Sequence, residues 1–184
     1  MQQVKGAVLK SRLAFIEQHA GADGTARVLA ALSAEDQREF RMILTVKWYP
    51  FELGKRLDDA IVEVLGGGQP TFFIRLGESS AEQNLSTLHR GFLTPGKPHA
   101  FLAKAGTIYA LYYETGRREY EQLGDKEGVL TTYDAETFSA PDCLTVMGWY
   151  RKALEMCGAS NVKIQEEECR AKGGAVCRYR VSWS

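Results

Sequence analysis

Four cysteines are the residues of this chain best suited to chemistry, and all of them fall late: Cys143, Cys157, Cys169 and Cys177, with none earlier. A thiolate binds soft metal ions or attacks an electrophile, and a protonated thiol packs as a small apolar group. Glu166 stands three residues before Cys169 and adds a carboxylate. Zinc accepts three thiolates and one carboxylate in a tetrahedral shell at about 2.0–2.3 Å. Such a closed shell leaves no open position for a hydrolytic water, so the site it makes is structural. There is no Cys-x-x-Cys pair. Reduced cysteines buried in the core are the competing reading of the same residues.

The segments around these residues decide which of them can meet. PDCLTVMGWYRKALEMCGAS reads as a helix from about Pro141, with Cys143, Met147, Tyr150, Leu154 and Cys157 on one stripe. Cys143 and Cys157 are then roughly 21 Å apart at about 1.5 Å per residue, so they cannot share an ion. NVKIQEEEC and AVCRYRVSWS read as strands. Alternation puts Cys177, Tyr179, Val181 and Trp183 on one face, and Glu166 on the inward face with Val162 and Ile164. Lys172-Gly173-Gly174 supplies the turn that folds Cys169 back toward Cys177. Cys143 joins them if the helix N-terminus packs at the same end.

The pattern of Cys143, Gly148, Glu166-x-x-Cys169 and Cys177 resembles the C-terminal signature of 4-vinyl reductase (V4R) domains, in the form found in phenol-sensing bacterial transcription activators. That resemblance implies a structural zinc ion on Cys143, Glu166, Cys169 and Cys177. It also implies a pocket bordered by Trp149, with Cys157 left in the core. The layout is similar to a wider superfamily that includes haem nitric-oxide/oxygen-binding domains and Golgi transport-particle subunits. Tyr113-Glu-Thr115-Gly-Arg117 resembles the Tyr-x-Ser-x-Arg motif with which the haem domains grip propionates, making Tyr113, Thr115 and Arg117 candidate ligand-binding residues. The place of the proximal histidine in those domains falls at Glu82 or Gln83, with His89 about two turns on and His99 in a proline loop. On that ground haem is expected to be unlikely. The length of the chain, WYP near residue 48, GAxxV and the terminal Ser-Trp resemble an uncharacterised family of myxobacterial proteins with the same fold and no established activity.

Twenty-three basic and 23 acidic residues balance to a formal net charge of zero, and no basic block suggests nucleic acid or lipid headgroups. No apolar run approaches the ~20 residues of a membrane span, and Lys5, Lys10 and Arg12 interrupt the N-terminus, so neither membrane insertion nor a signal peptide is expected. The expected compartment is the cytoplasm, where cysteines stay reduced. Helical spacing covers 4–19 with stops at Gly21 and Gly24, and a second helix covers Thr25–Leu32. Ser33 reads as the N-cap of the next helix. Phe51–Leu65 carries an apolar stripe, and Thr71–Arg90 reads as a helix kinked near Gly77. Gly66-Gly67-Gly68 lacks the Gly-Lys-Ser/Thr of a phosphate loop. GTIYALYYE and GVLTTYD have strand composition, with GDKEG as the turn between them. The sum is an α+β plan in one domain, 1–184: N-terminal helices packed on an antiparallel sheet of about four strands, with one helix inserted before the C-terminal hairpin.

No nucleophile elbow is present, and the three histidines lie in unrelated settings, so no enzyme is expected. The leading expectation is a sensor or signalling module that binds a small hydrophobic or aromatic molecule and acts through a homodimer or a protein partner. The alternatives are an assembly module with a self-filled interior and a haem-based gas sensor.

Overall fold

The computed structural model describes residues 2–184. A short strand, β1 (Gln3–Lys5), runs directly into helix α1 (Gly6–Ala30). The expected stop at Gly21 is a kink: Gly21 has φ 67°, a conformation glycine adopts without strain, and helix resumes beyond it. Helix α2 (Ala34–Arg41) starts as the sequence implies, with the Asp36 N–H donating to Ser33 Oγ at 3.1 Å. Strand β2 (Trp48–Pro50) pairs antiparallel with β1, and Pro50 leads into α3 (Phe51–Val64). Helix α4 (Phe72–Ser86) is shorter than the expected Thr71–Arg90.

The next segment departs from expectation. The proline loop contains a short helix, α5 (Pro98–Leu102), because a first-turn proline lacks only an N–H that no helical carbonyl would accept. GTIYALYYE forms α6 (Ala105–Tyr112) and not a strand. Ala105, Ile108 and Tyr109 are buried at helical spacing, so packing overrides the β-rich composition. The first strand of the main sheet is instead RREYEQLG, β3 (Arg117–Gly124). β4 (Glu127–Tyr133) follows it across the expected turn. α7 (Ala140–Met156) is inserted before β5 (Lys163–Glu168) and β6 (Cys177–Ser182). The sheet is antiparallel in the order β3-β4-β6-β5. This is the α+β architecture anticipated above. Among the described residues no helix is long and apolar enough to cross a membrane.

Helices α4 and α7 cross at two glycines. A Cβ on Gly148 would stand 2.8 Å from the Ile74 carbonyl carbon, and one on Gly77 would stand 2.8 Å from the Trp149 nitrogen. The backbones therefore touch, and α7 carries its other face to the sheet. Buried apolar residues form two clusters: one between α7, α5, α6 and the sheet, the other between α1, α3 and the first turns of α4. Arg12 on α1 ties the halves together. Its guanidinium donates to Asp58 on α3 at 2.6 and 3.0 Å and to Asp142 on α7 at 3.1 Å, and all three side chains are buried. Tyr113 Oη adds a donor to Asp142 at 2.9 Å.

Candidate functional site

Three thiols meet at the end of the sheet where α7 begins. Cys143 lies in the first turn of α7, whose N-cap Ser139 accepts the Asp142 N–H and fixes the entry angle. Cys177 opens β6, and Cys169 follows β5. A β-bulge between Glu166 and Glu168 is essential to this meeting. Strict alternation would point residues 166 and 169 to opposite faces, and the extra residue restores Cys169 to the inner one. A 3₁₀ turn (Arg170–Lys172) closed by Gly173 at φ 89° returns the chain to β6. Cys169 Sγ is 3.4 Å from Cys143 Sγ, and Cys143 Sγ is 3.8 Å from Cys177 Sγ. The three sulfurs lie within 4.8 Å of one another and all are buried. Ligands about 2.3 Å from a tetrahedral zinc stand about 3.8 Å apart, so the sulfurs have the spacing of three corners.

The thiols are electrically unequal. The Cys143 thiol donates to Cys177, which together with burial pushes the Cys143 pKa far up. The same bond, with the Arg170 N–H at 3.5 Å, pulls the Cys177 pKa down to about 6. Burial raises the Cys169 pKa. Glu166, the fourth member of the sequence motif, pairs with Lys172 and stands outside the three-sulfur group. Cys157, at the far end of α7, is buried away from the others, its carbonyl accepting the Gly96 N–H.

A second feature lies where the two apolar clusters meet. A cavity of about 60 Å³ is walled by α1, α4, α6, α7 and β3, with Ile108, Tyr112, Arg118, Val146, Trp149 and Tyr150 among its lining. Trp149 and Tyr113 are on its wall. Thr115 and Arg117 are outside it: Arg117 is exposed and pairs with Glu119 and Asp134, while the Thr115 carbonyl accepts from Tyr109 Oη. The residues Tyr113, Thr115 and Arg117 are therefore not brought together. Their strand begins at Arg117, and the adjacent Arg118 faces inward.

Arg118 is the residue that sequence reading missed. Its side chain is 8% exposed, and Nε donates to Thr132 Oγ1 on β4 at 2.9 Å. Tyr109 and Tyr150 rings lie 4.9 and 5.5 Å from it. The groups packed closest to it are tyrosines, and among the described residues no carboxylate forms an ion pair with it, although Asp142 and Cys177 line a small adjoining cavity with it. A desolvated cation–π contact returns about 2 kcal/mol, whereas the desolvation of one buried ion costs several kcal/mol. On the same wall Tyr112 Oη and Tyr150 Oη are buried without hydrogen-bond partners. Ser11, Asn84 and Tyr112 line both this cavity and an open, mostly apolar cleft of about 690 Å³, which Leu13, Leu88, His89 and Leu111 also line.

A family model described as "Protein of unknown function (DUF2378)" matches residues 15–184. No curated protein matches the chain. Among solved structures, the Fe(II) unliganded H-NOX protein from K. algicida superposes with a TM-score of 0.73 at 11% identity, covering 98% of this chain and 96% of that one. An oxygen-binding H-NOX domain related to soluble guanylate cyclases gives 0.70 at 11% identity, covering 98% and 95%. A chain from a study of haem distortion in the H-NOX family gives 0.74 at 11%, covering 98% and 95%. The chain has the H-NOX fold.

This corrects the expectation that haem is unlikely. That expectation rested on a motif position, whereas the fold as a whole matches H-NOX domains, and haem is the group this fold implies. The residues present fit it in type. The cleft is apolar, and His89 on its wall is partly buried, which lowers its pKa and keeps the imidazole neutral, the form that binds iron.

Proposed function

The chain belongs to the DUF2378 family, and we propose that it is a non-enzymatic sensor module that binds a small molecule between its helical half and its sheet. The observation that carries this reading is the cavity beside Trp149, walled by five elements of the fold and holding polar groups without partners. Buried polar groups are ordinarily hydrogen-bonded, and their clustering on one cavity wall is what a binding site requires. A ligand there would touch α1, α4, α6, α7 and β3 together, so occupancy would be felt by a protein partner or a second copy docked on any of them.

In this reading zinc on Cys143, Cys169 and Cys177, with Glu166 released from Lys172 as fourth ligand, is a structural clip, the feature on which the chain resembles V4R domains. It would fasten the first turn of α7 to the β5–β6 hairpin and so fix the cavity wall. Native mass spectrometry of protein purified from cells without denaturation tests the reading. The expected spectrum contains a species heavier than the zinc-bound chain by one small organic molecule, reduced in Trp149→Ala. A chain that never carries or takes up a small molecule would make the interior a self-filled core.

A haem-based gas sensor is the second reading, favoured by the fold and by the apolar cleft that contains His89. Bound haem would supply a gas-binding iron. His89 would offer the nitrogen ligand, with Leu13, Leu88 and Leu111 as apolar walls. Haemin added to the purified protein would then give a Soret band that shifts in His89→Ala. A spectrum identical to free haemin would end this reading.

A further inference from the structure

Arg118 is a buried cation that makes no salt bridge with a carboxylate among the described residues, and one acidic group its charge acts on is the Cys177 thiol. Its hydrogen bond from Nε to Thr132 orients the guanidinium, which otherwise has only the Tyr150 hydroxyl beside it and no carboxylate bound to its fork. A guanidinium fork binds a carboxylate or a phosphate bidentately, and a small, mostly apolar cavity with one available cation favours the singly charged carboxylate. The other cation on the cavity wall, Arg12, is already saturated by Asp58 and Asp142, so Arg118 sets the sign of the site. The unpartnered hydroxyls of Tyr112 and Tyr150 are two further donors on the same wall.

We propose that this cavity receives the carboxylate of a small organic acid on Arg118, with the acid's apolar body passing Tyr112 into the adjoining cleft. The proposal rests on the reading of the interior as a ligand site and gives that ligand its chemical class. Size supports the division into head and body. About 60 Å³ holds a carboxylate head, while an aromatic ring needs a cavity nearer ~150 Å³. The cleft beyond Tyr112 is large and apolar enough for the rest. Continuity supports it as well, since Ser11, Asn84 and Tyr112 belong to both spaces.

The test is thermal denaturation and calorimetric titration of the full chain with hexanoate and benzoate, against hexanamide and benzamide as neutral counterparts. The acids are expected to raise Tm by roughly 5–10 °C at about 100 times Kd, and the amides to bind at least tenfold more weakly. Arg118→Met is expected to remain folded, as its own melting transition would show, and to lose the response to acids. Arg118→Lys keeps the charge without the fork and is expected to weaken hexanoate at least tenfold. Equal binding of acids and amides would overturn the anion site while leaving a small-molecule sensor intact. Binding of neither would remove both. Acid binding unchanged in Arg118→Met, or binding of haemin alone, would also overturn the proposal.

Discussion

Replacing Gly148 by alanine tests the packing that holds the cavity in shape. The added Cβ would stand 2.8 Å from the Ile74 carbonyl carbon and closer still to its oxygen. Ordinary contact begins at 3.4 Å, so α4 and α7 must part by at least 3.4 − 2.8 = 0.6 Å. Both partners are helix backbone, and no rotamer change relieves the clash. Overpacking of this kind costs about 1–3 kcal/mol. Helix propensity returns about 1 kcal/mol of that, since alanine is the better helix former. The oxygen contact puts Gly148→Ala toward the upper end, about 2 kcal/mol net, or a fall of roughly 4–8 °C in Tm. Differential scanning calorimetry measures it, with Gly91→Ala as the control, where a Cβ meets nothing within 4 Å. Gly77→Ala is expected to behave like Gly148→Ala. A Tm equal to or above the parent's in both helix variants would refute the crossing described here.

Metal analysis of the purified protein should find near-stoichiometric zinc, lost in Cys169→Ser/Cys177→Ser together with several degrees of Tm; metal-free protein of equal stability would show the thiols to be core residues only. Arg12→Met leaves Asp58 and Asp142 as buried carboxylates without their cation, and urea denaturation should register a loss of about 3–5 kcal/mol. His89 has a folded-state pKa depressed by burial below the ordinary 6.5, so the unfolded chain binds the proton more readily. Its contribution is therefore present above pH 6.5 and is lost as pH falls from there toward the depressed folded value. His89→Gln should be less sensitive than the parent between pH 7 and 5; an identical pH dependence would contradict the assignment.

The hairpin end of the site was legible because strand alternation and a glycine turn are local properties. Cys177 and Cys169 converge as the turn at Gly173 requires, and helix length alone separates Cys157 from them. The bulge at Glu166–Glu168 was not legible, since nothing in three consecutive glutamates says which is extra. Arg118 was missed for a related reason. With the first strand assigned to GTIYALYYE, the motif that follows draws attention to Arg117, and Arg118 falls outside both. With the strand at Arg117–Gly124, alternation sends the two arginines to opposite faces, and Arg118 is the inward one. Burial of Ile108 and Tyr109 decided that α6 is a helix, and tertiary packing of this kind does not register in local composition.

The cavity beside Trp149 is the centre of the proposed function. Trp48→Phe/Trp183→Phe leaves Trp149 as the sole tryptophan, and its fluorescence during a benzoate titration reports on that cavity directly. A saturable change in emission at one molecule per chain, with a matching rise in Tm, is the expected result. Emission and Tm that stay constant through millimolar benzoate, hexanoate and phenol would contradict it.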